Sequence, residues 1–173
     1  MKTKNLALYL VALCSALALS GCGPKSETKA PASTTEASSA AKPAPAEGRA
    51  IEVTGNDTMK FNVVEMRAKP GEALAVTLKN IGTMPKMSMG HNWVLLDAGV
   101  DLNAFAADTG TAAKTDYVPP AYKSQILAAT KLLGPGESDT VRFYAPTKPG
   151  RYIYLCSFPG HFQVGMKGVL IVE

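Results

Sequence analysis

From about residue 50 to the last residues of the chain, apolar and polar positions alternate in short runs separated by turn-forming residues. The alternation is clearest in Ala73-Leu74-Ala75-Val76-Thr77-Leu78-Lys79 and in Val141-Arg142-Phe143-Tyr144. A period of two suits strands that turn one face to a core. The pattern predicts strands over Ala50–Thr54, Met59–Met66, Ala73–Lys79, His91–Leu96, Asp139–Tyr144, Gly150–Leu155 and Gly168–Val172. Breakers stand between them at Lys69-Pro70-Gly71, Asn80-Ile81-Gly82, Gly134-Pro135-Gly136 and Lys148-Pro149-Gly150. Seven or eight short strands so spaced predict an all-β fold, an antiparallel Greek-key two-sheet sandwich. Between Asp97 and Leu133 the alternation stops. Val100–Thr109 reads there as a weakly amphipathic helix and Ala121–Thr130 as a second short helical or irregular piece, with Pro119 and Pro120 between them. This partly helical stretch is expected to be an insertion outside the sandwich.

The first 48 residues have a different pattern. Lys2 and Lys4 precede a Leu/Ala-rich run from Leu6 to Leu19, which is short for a membrane span but suits an export signal. The run ends in Leu19-Ser20-Gly21-Cys22, which resembles the bacterial lipobox. That resemblance implies cleavage after residues 1–21, a lipoprotein signal peptide, and lipid on Cys22, anchoring the protein to a membrane and facing the periplasm or cell exterior. Gly23, where an Asp would favour retention in the inner membrane, leans towards the outer membrane. Residues 22–48 comprise the lipidated Cys and a linker rich in Ala, Pro, Ser and Thr, with too little apolar surface to order itself. As a random coil this linker reaches about 25–30 Å. Residues 49–173 are left as the folded domain.

Length and charge add modest limits. The chain has 173 residues, one ordinary domain plus tails. Its net charge of +4 gives no argument for nucleic acid as a partner. Cysteine usage is more informative. Of three cysteines, Cys14 leaves with the signal and Cys22 takes lipid, so Cys156 is the only free thiol of the mature chain. No disulfide framework is available, although export implies an oxidising compartment. A bond to a metal would protect such a thiol.

Candidate chemistry is concentrated in Tyr154–Val169, which offers Cys156, His161 and Met166 within eleven residues. Two imidazoles and one thiolate in a trigonal array, with a weak axial thioether, make a blue-copper electron-transfer site. The second imidazole has one candidate, His91, since the chain has two histidines. A lone histidine at the head of an apolar strand is more often a core or edge residue than a ligand, but here every histidine and the one free thiol fall into a single proposed site. Structural zinc sites normally use Cys and His without Met. A copper enzyme would need further histidines, and a Cys–His nucleophile lacks an evident orienting carboxylate. The remaining alternative is periplasmic copper handling through the Met-rich segment 84–89, Met84-Pro85-Lys86-Met87-Ser88-Met89, whose thioethers suit Cu(I).

Three segments, Gly55-Asn56-Asp57-Thr58-Met59-Lys60-Phe61-Asn62, Met89-Gly90-His91-Asn92-Trp93-Val94-Leu95 and Cys156-Ser157-Phe158-Pro159-Gly160-His161 with Met166-Lys167-Gly168, closely resemble azurin and auracyanin, blue-copper cupredoxins. The resemblance runs from Arg49 to Glu173. It implies one copper ion cycling between Cu(I) and Cu(II), held by His91, Cys156 and His161 in the equatorial plane. Met166 would be the axial ligand, with the carbonyl of Gly90 as a weak contact opposite it. Asn92 would tie the His91 strand to the Cys156 loop and fix the sulfur by hydrogen bonds. Phe158 and Pro159 would shape the loop, and Met59 and Met89 would line an apolar docking rim around the solvent-facing edge of His161. Four residues separate His161 from Met166 where azurin has three, a spacing that matches auracyanin. The resemblance implies a monomeric electron carrier rather than an enzyme, docking transiently with c-type cytochromes or membrane oxidoreductases.

Overall fold

Two sheets carry the structure, a computed structural model that describes residues 43–173. The expected signal peptide, the lipidation of Cys22 and nearly all of the linker lie outside the described residues. The first sheet has the order β1-β3-β6, built from β1 (Arg49–Gly55), β3 (Ala73–Asn80) and β6 (Ser138–Tyr144). The second joins β2 (Glu65–Ala68), β8 (Lys167–Val172), β7 (Gly150–Leu155), β4 (Val94–Leu96) and β5 (Ile126–Ala129) in the order β2-β8-β7-β4-β5.

The expected two-sheet sandwich is present, but its sheets are mixed rather than purely antiparallel. The β1–β3 and β2–β8 pairs are parallel. The cause is the route of the chain. Between β1 and β3 it crosses to the other sheet to form β2, so β3 comes back beside β1 in the same direction, which no tight hairpin could achieve. The alternation read from the sequence holds in β3, where Leu74, Val76 and Leu78 are buried. They join Val53, Trp93, Leu95, Tyr154 and Leu170 in the main core.

Three local expectations are corrected. The strand over Met59–Met66 shrinks to Glu65–Ala68, preceded by a single bridge between Gly55 and Phe61. Met59 has φ 54, the left-handed conformation, which cannot continue a strand. The strand over His91–Leu96 is regular only from Val94, and His91 instead makes an isolated bridge to Leu133. The piece at Ala121–Thr130 is half strand: a 3₁₀ turn over Pro120–Gln125 leads into β5, which pairs antiparallel with β4. Ile126-Leu127-Ala128-Ala129 is too short for its periodicity to separate helix from strand, and the open edge of β4 decides.

The segment between Asp97 and Leu133 is therefore not wholly outside the sandwich. Its expected helix forms as α2 (Leu102–Asp108). Asp101 caps it, its Oδ1 accepting from the amides of Asn103 at 2.9 Å and Ala104 at 3.1 Å. Phe105 of α2 packs with Val94, Leu96 and Leu155 in a second, smaller core. Both faces of β4 are thus buried, Leu95 towards the main core and its two neighbours towards α2. That double burial fixes the strand from which His91 leads off.

Candidate metal centre

Cys156 stands one residue past β7, at the start of the loop that returns to β8. Backbone hydrogen bonds fold that loop on itself: Cys156 N to Met166 O at 3.0 Å, His161 N to Phe158 O at 3.0 Å and Met166 N to His161 O at 2.9 Å. Gly160 and Gly165 take φ 89 and 93, so the two bends fall where a side chain would be strained. His91 comes from the other direction. Its backbone exchanges two hydrogen bonds with Leu133, at 3.1 and 2.8 Å, which aim its ring at the loop.

These elements bring three donor atoms together. His91 Nδ1 and His161 Nδ1 are 3.2 Å apart, and Cys156 Sγ lies 3.4 Å from His161 Nδ1 and 4.0 Å from His91 Nδ1. All three residues are buried. Ligands each roughly 2.0–2.3 Å from one ion stand about 3–4 Å from one another, as these atoms do. Met166, fully buried, lies against the same group: a side-chain carbon on Gly55 would come 2.8 Å from Met166 Cε and 3.3 Å from His91 Cδ2. Gly55 is therefore the space in which the thioether and the imidazole meet. One soft thiol, two imidazoles and a thioether, enclosed and away from water, suit copper better than zinc.

Asn92 holds the two halves together. Its Nδ2 donates to Ser157 Oγ at 2.7 Å and to the Asp116 carbonyl at 2.8 Å, while its Oδ1 accepts from Ser157 N at 2.8 Å. The Asn92 side chain spends its hydrogen bonds on Ser157 and Asp116 rather than on the sulfur, while burial raises the Cys156 thiol and the backbone amides of Asn92 and Phe158 partly oppose that rise. Thr130 Oγ1 accepts from Trp93 N at 2.9 Å and anchors the next residue along. Ser157, Asp116, Thr130 and Leu133 escaped the sequence reading. The only hint was that a buried Asn92 amide must find partners somewhere.

The other expected residues are placed as follows. Gly90 is buried and tightly enclosed, since a side-chain carbon there would meet the Lys86 carbonyl oxygen at 2.7 Å. The Phe158 ring lies 4.6 Å from the His161 ring, and Pro159 is exposed. Met59 and Met89 are half-buried, the latter at the end of the short helix α1 (Lys86–Met89). His161 was expected to offer an open edge; it is only 2% exposed.

The profile of the copper binding proteins of the plastocyanin/azurin family matches residues 48–173. The chain belongs to that family. It is 40% identical over 121 residues to azurin from Achromobacter denitrificans, covering 68% of this chain and 80% of that protein. It is 41% identical over 126 residues to outer membrane protein H.8 from Neisseria gonorrhoeae, covering 72% of this chain and 68% of that one. The crystal structure of dithionite-reduced auracyanin from Roseiflexus castenholzii superposes with a TM-score of 0.64 at 36% identity, over 72% of this chain and 96% of that one. As a member of the plastocyanin/azurin family, the chain is a blue-copper electron-transfer protein and not an enzyme. Its His91, Cys156 and His161 cluster, with Met166, fits a single copper ion.

Burial decides the protonation of the metal-free site. It pushes the Cys156 thiol up to about 12 and, aided by the neighbouring His91, holds His161 down at about 4. His91 is also lowered by burial, against a partial offset from the Asn56 carbonyl and Asp57. Without metal, the folded protein therefore keeps a neutral thiol and neutral imidazoles. Below pH 6.5 the unfolded chain binds more protons at the histidines, so stability falls as pH drops through about 4. Above pH 9 the folded chain retains the thiol proton that the unfolded chain loses, so stability falls as pH rises through about 12. Urea unfolding of the metal-free protein should accordingly show a plateau between these limbs. The alkaline decline should weaken in Cys156→Ser; an unchanged decline would assign it to other groups.

Proposed function

We propose that this family member is a membrane-tethered type 1 copper protein that shuttles single electrons between respiratory or photosynthetic partners. The convergence of Cys156 Sγ with the two Nδ1 atoms carries the reading. In it, His91, Cys156 and His161 would hold the copper ion, with the Met166 thioether and the Gly90 carbonyl as weaker donors. Copper supplies a reversible one-electron change between Cu(I) and Cu(II). The protein's task is to hold one ligand geometry in both states. The hydrogen-bonded loop and the Asn92 clamp serve that task because neither needs to rearrange.

Transient docking is supported by exposed apolar side chains on the Met-rich segment and on the loop. Met84 and Val164 are exposed, and Met87 is 84% exposed on α1. Flexible thioethers adapt to more than one partner surface. The proposed partners are c-type cytochromes or membrane oxidoreductases, met by a monomer. Tethering rests on the Cys22 lipobox and is supported by the relative whose name places it in an outer membrane. Cys22→Ala should move the protein from the membrane fraction to the soluble periplasmic fraction; retention in membranes would count against the anchor. The same preparation should bind one equivalent of copper and turn blue. Additional Cu(I), lost when Met84 and Met87 are changed, would favour copper handling instead.

A further inference from the structure

The segment between Asp97 and Leu133 has a feature that capping the second core does not require. Asp116 and Tyr117 both take left-handed backbone conformations, with φ 55 and 61. Side chains disfavour that region, and consecutive residues held in it tend to lie at functional places. Three hydrogen bonds hold them there: Asn92 Nδ2 to Asp116 O at 2.8 Å, Leu132 N to Asp116 Oδ2 at 3.2 Å and Tyr117 N to Ala112 O at 2.9 Å. The first comes from the residue that also grips the Cys156 loop.

This backbone sets the Tyr117 ring against Phe158, with centroids 4.8 Å apart and planes at 62°. Phe158 in turn lies 4.6 Å from His161, at 34°. Three rings in contact therefore lead from the copper-binding imidazole to a half-buried tyrosine. His161 itself has almost no free surface.

We propose that Phe158 and Tyr117 form an electron route between His161 and the surface, with Tyr117 as its outer end. Phe158 touches the ligand; Tyr117 acts through Phe158 and is a positioning residue. With copper held at His161, the rings would couple that ion to a one-electron donor or acceptor at the surface. No bond forms or breaks, no proton moves and neither ring is itself oxidised. The packed π systems carry electronic coupling that a gap or a water layer would weaken. The strained Asp116–Tyr117 backbone serves to hold that contact.

This inference rests on the copper reading above, and the test separates the two. Both native histidines lie in the site, so an added surface histidine can carry a ruthenium photosensitiser selectively. Lys114→His places the label near Tyr117, and Lys86→His places it on α1; both lysines are exposed. In the copper-loaded chain labelled at 114, Tyr117→Leu should slow intramolecular transfer at least severalfold, and Tyr117→Phe should retain the rate. Transfer from the label at 86 should not change. Reduction potential and EPR spectrum should match the wild type. In the metal-free protein, Tyr117→Leu should shift the NMR resonances of the Phe158 ring. Tyr117→Met gives the same test where the leucine variant does not fold. Equal rates from 114 with and without the ring, equal slowing from both labels, or slowing explained by a changed potential would overturn the route. A colourless wild type would sink the copper reading itself.

Discussion

Loaded with copper, Cys156→Ser is expected to be nearly colourless where the wild type is intensely blue. The colour needs a thiolate whose electrons are transferred to Cu(II) on excitation, and Cys156 is the only cysteine in the cluster. A serine hydroxyl stays protonated at neutral pH and offers a hard oxygen in place of a soft sulfur. Copper affinity should fall for the same reason, and the EPR hyperfine splitting should widen towards that of ordinary tetragonal Cu(II). The fold should survive. The substitution is nearly isosteric, and the amides of Asn92 and Phe158 that face the thiol can donate to a hydroxyl. The stability cost should stay near that of a buried, partly satisfied hydroxyl, about 1–2 kcal/mol. A variant that stays blue would contradict the ligand assignment.

Gly168→Ala should have the largest effect on stability, a loss of about 2–4 kcal/mol from steric overlap in the core. Gly168 lies opposite Tyr154 in the β7–β8 ladder, and the tyrosine ring folds over it. A methyl group there would sit far inside van der Waals contact with the phenol oxygen and ring. Tyr154 cannot swing away cheaply. It is fully buried, it lies 5.2 Å from Trp93 between ring centroids, and its hydroxyl donates to the Val63 carbonyl at 2.7 Å. Any shift therefore disturbs the packing of Trp93 as well as a buried hydrogen bond. Gly110→Ala is the control. That glycine has open space around it and no positive φ, so the change should stay within about 0.5 kcal/mol. Chemical denaturation of the metal-free protein measures both, and equal midpoints for the two variants would refute the argument.

Much of the site was legible because its residues are scarce. Two histidines and one thiol outside the first 22 residues leave His91, Cys156 and His161 no rivals, and the structure brings them together. Strands such as β3 and β7 were legible because one face meets a core and the other meets solvent. The failures follow from the same rule. β4 is buried on both faces, so periodicity says little about where it starts, and the bridge from His91 to Leu133 depends on a contact 42 residues away. β5 looked helical or irregular because a four-residue Ile/Leu/Ala run has no period, and its partner strand could not be known in advance. The parallel pairs were invisible because direction depends on the route between strands rather than on their composition. The roles of Ser157, Asp116 and Tyr117 likewise belong to tertiary contact.

The order of strands also bears on how the molecule comes into being. β7 and β8 lie in the interior of the five-stranded sheet, yet they follow every other strand in the chain. As the polypeptide emerges amino end first, β2 waits for β8, about a hundred residues later, and β4 has only β5 beside it. Main-chain pairing at the centre of that sheet begins only when residues 150–172 appear, and the same residues carry three of the four proposed copper donors. Such non-local pairing predicts slow folding, in milliseconds to seconds. A nascent chain of this topology remains threadable until residues 150–172 have been made, and it gains its capacity to bind metal in the same step.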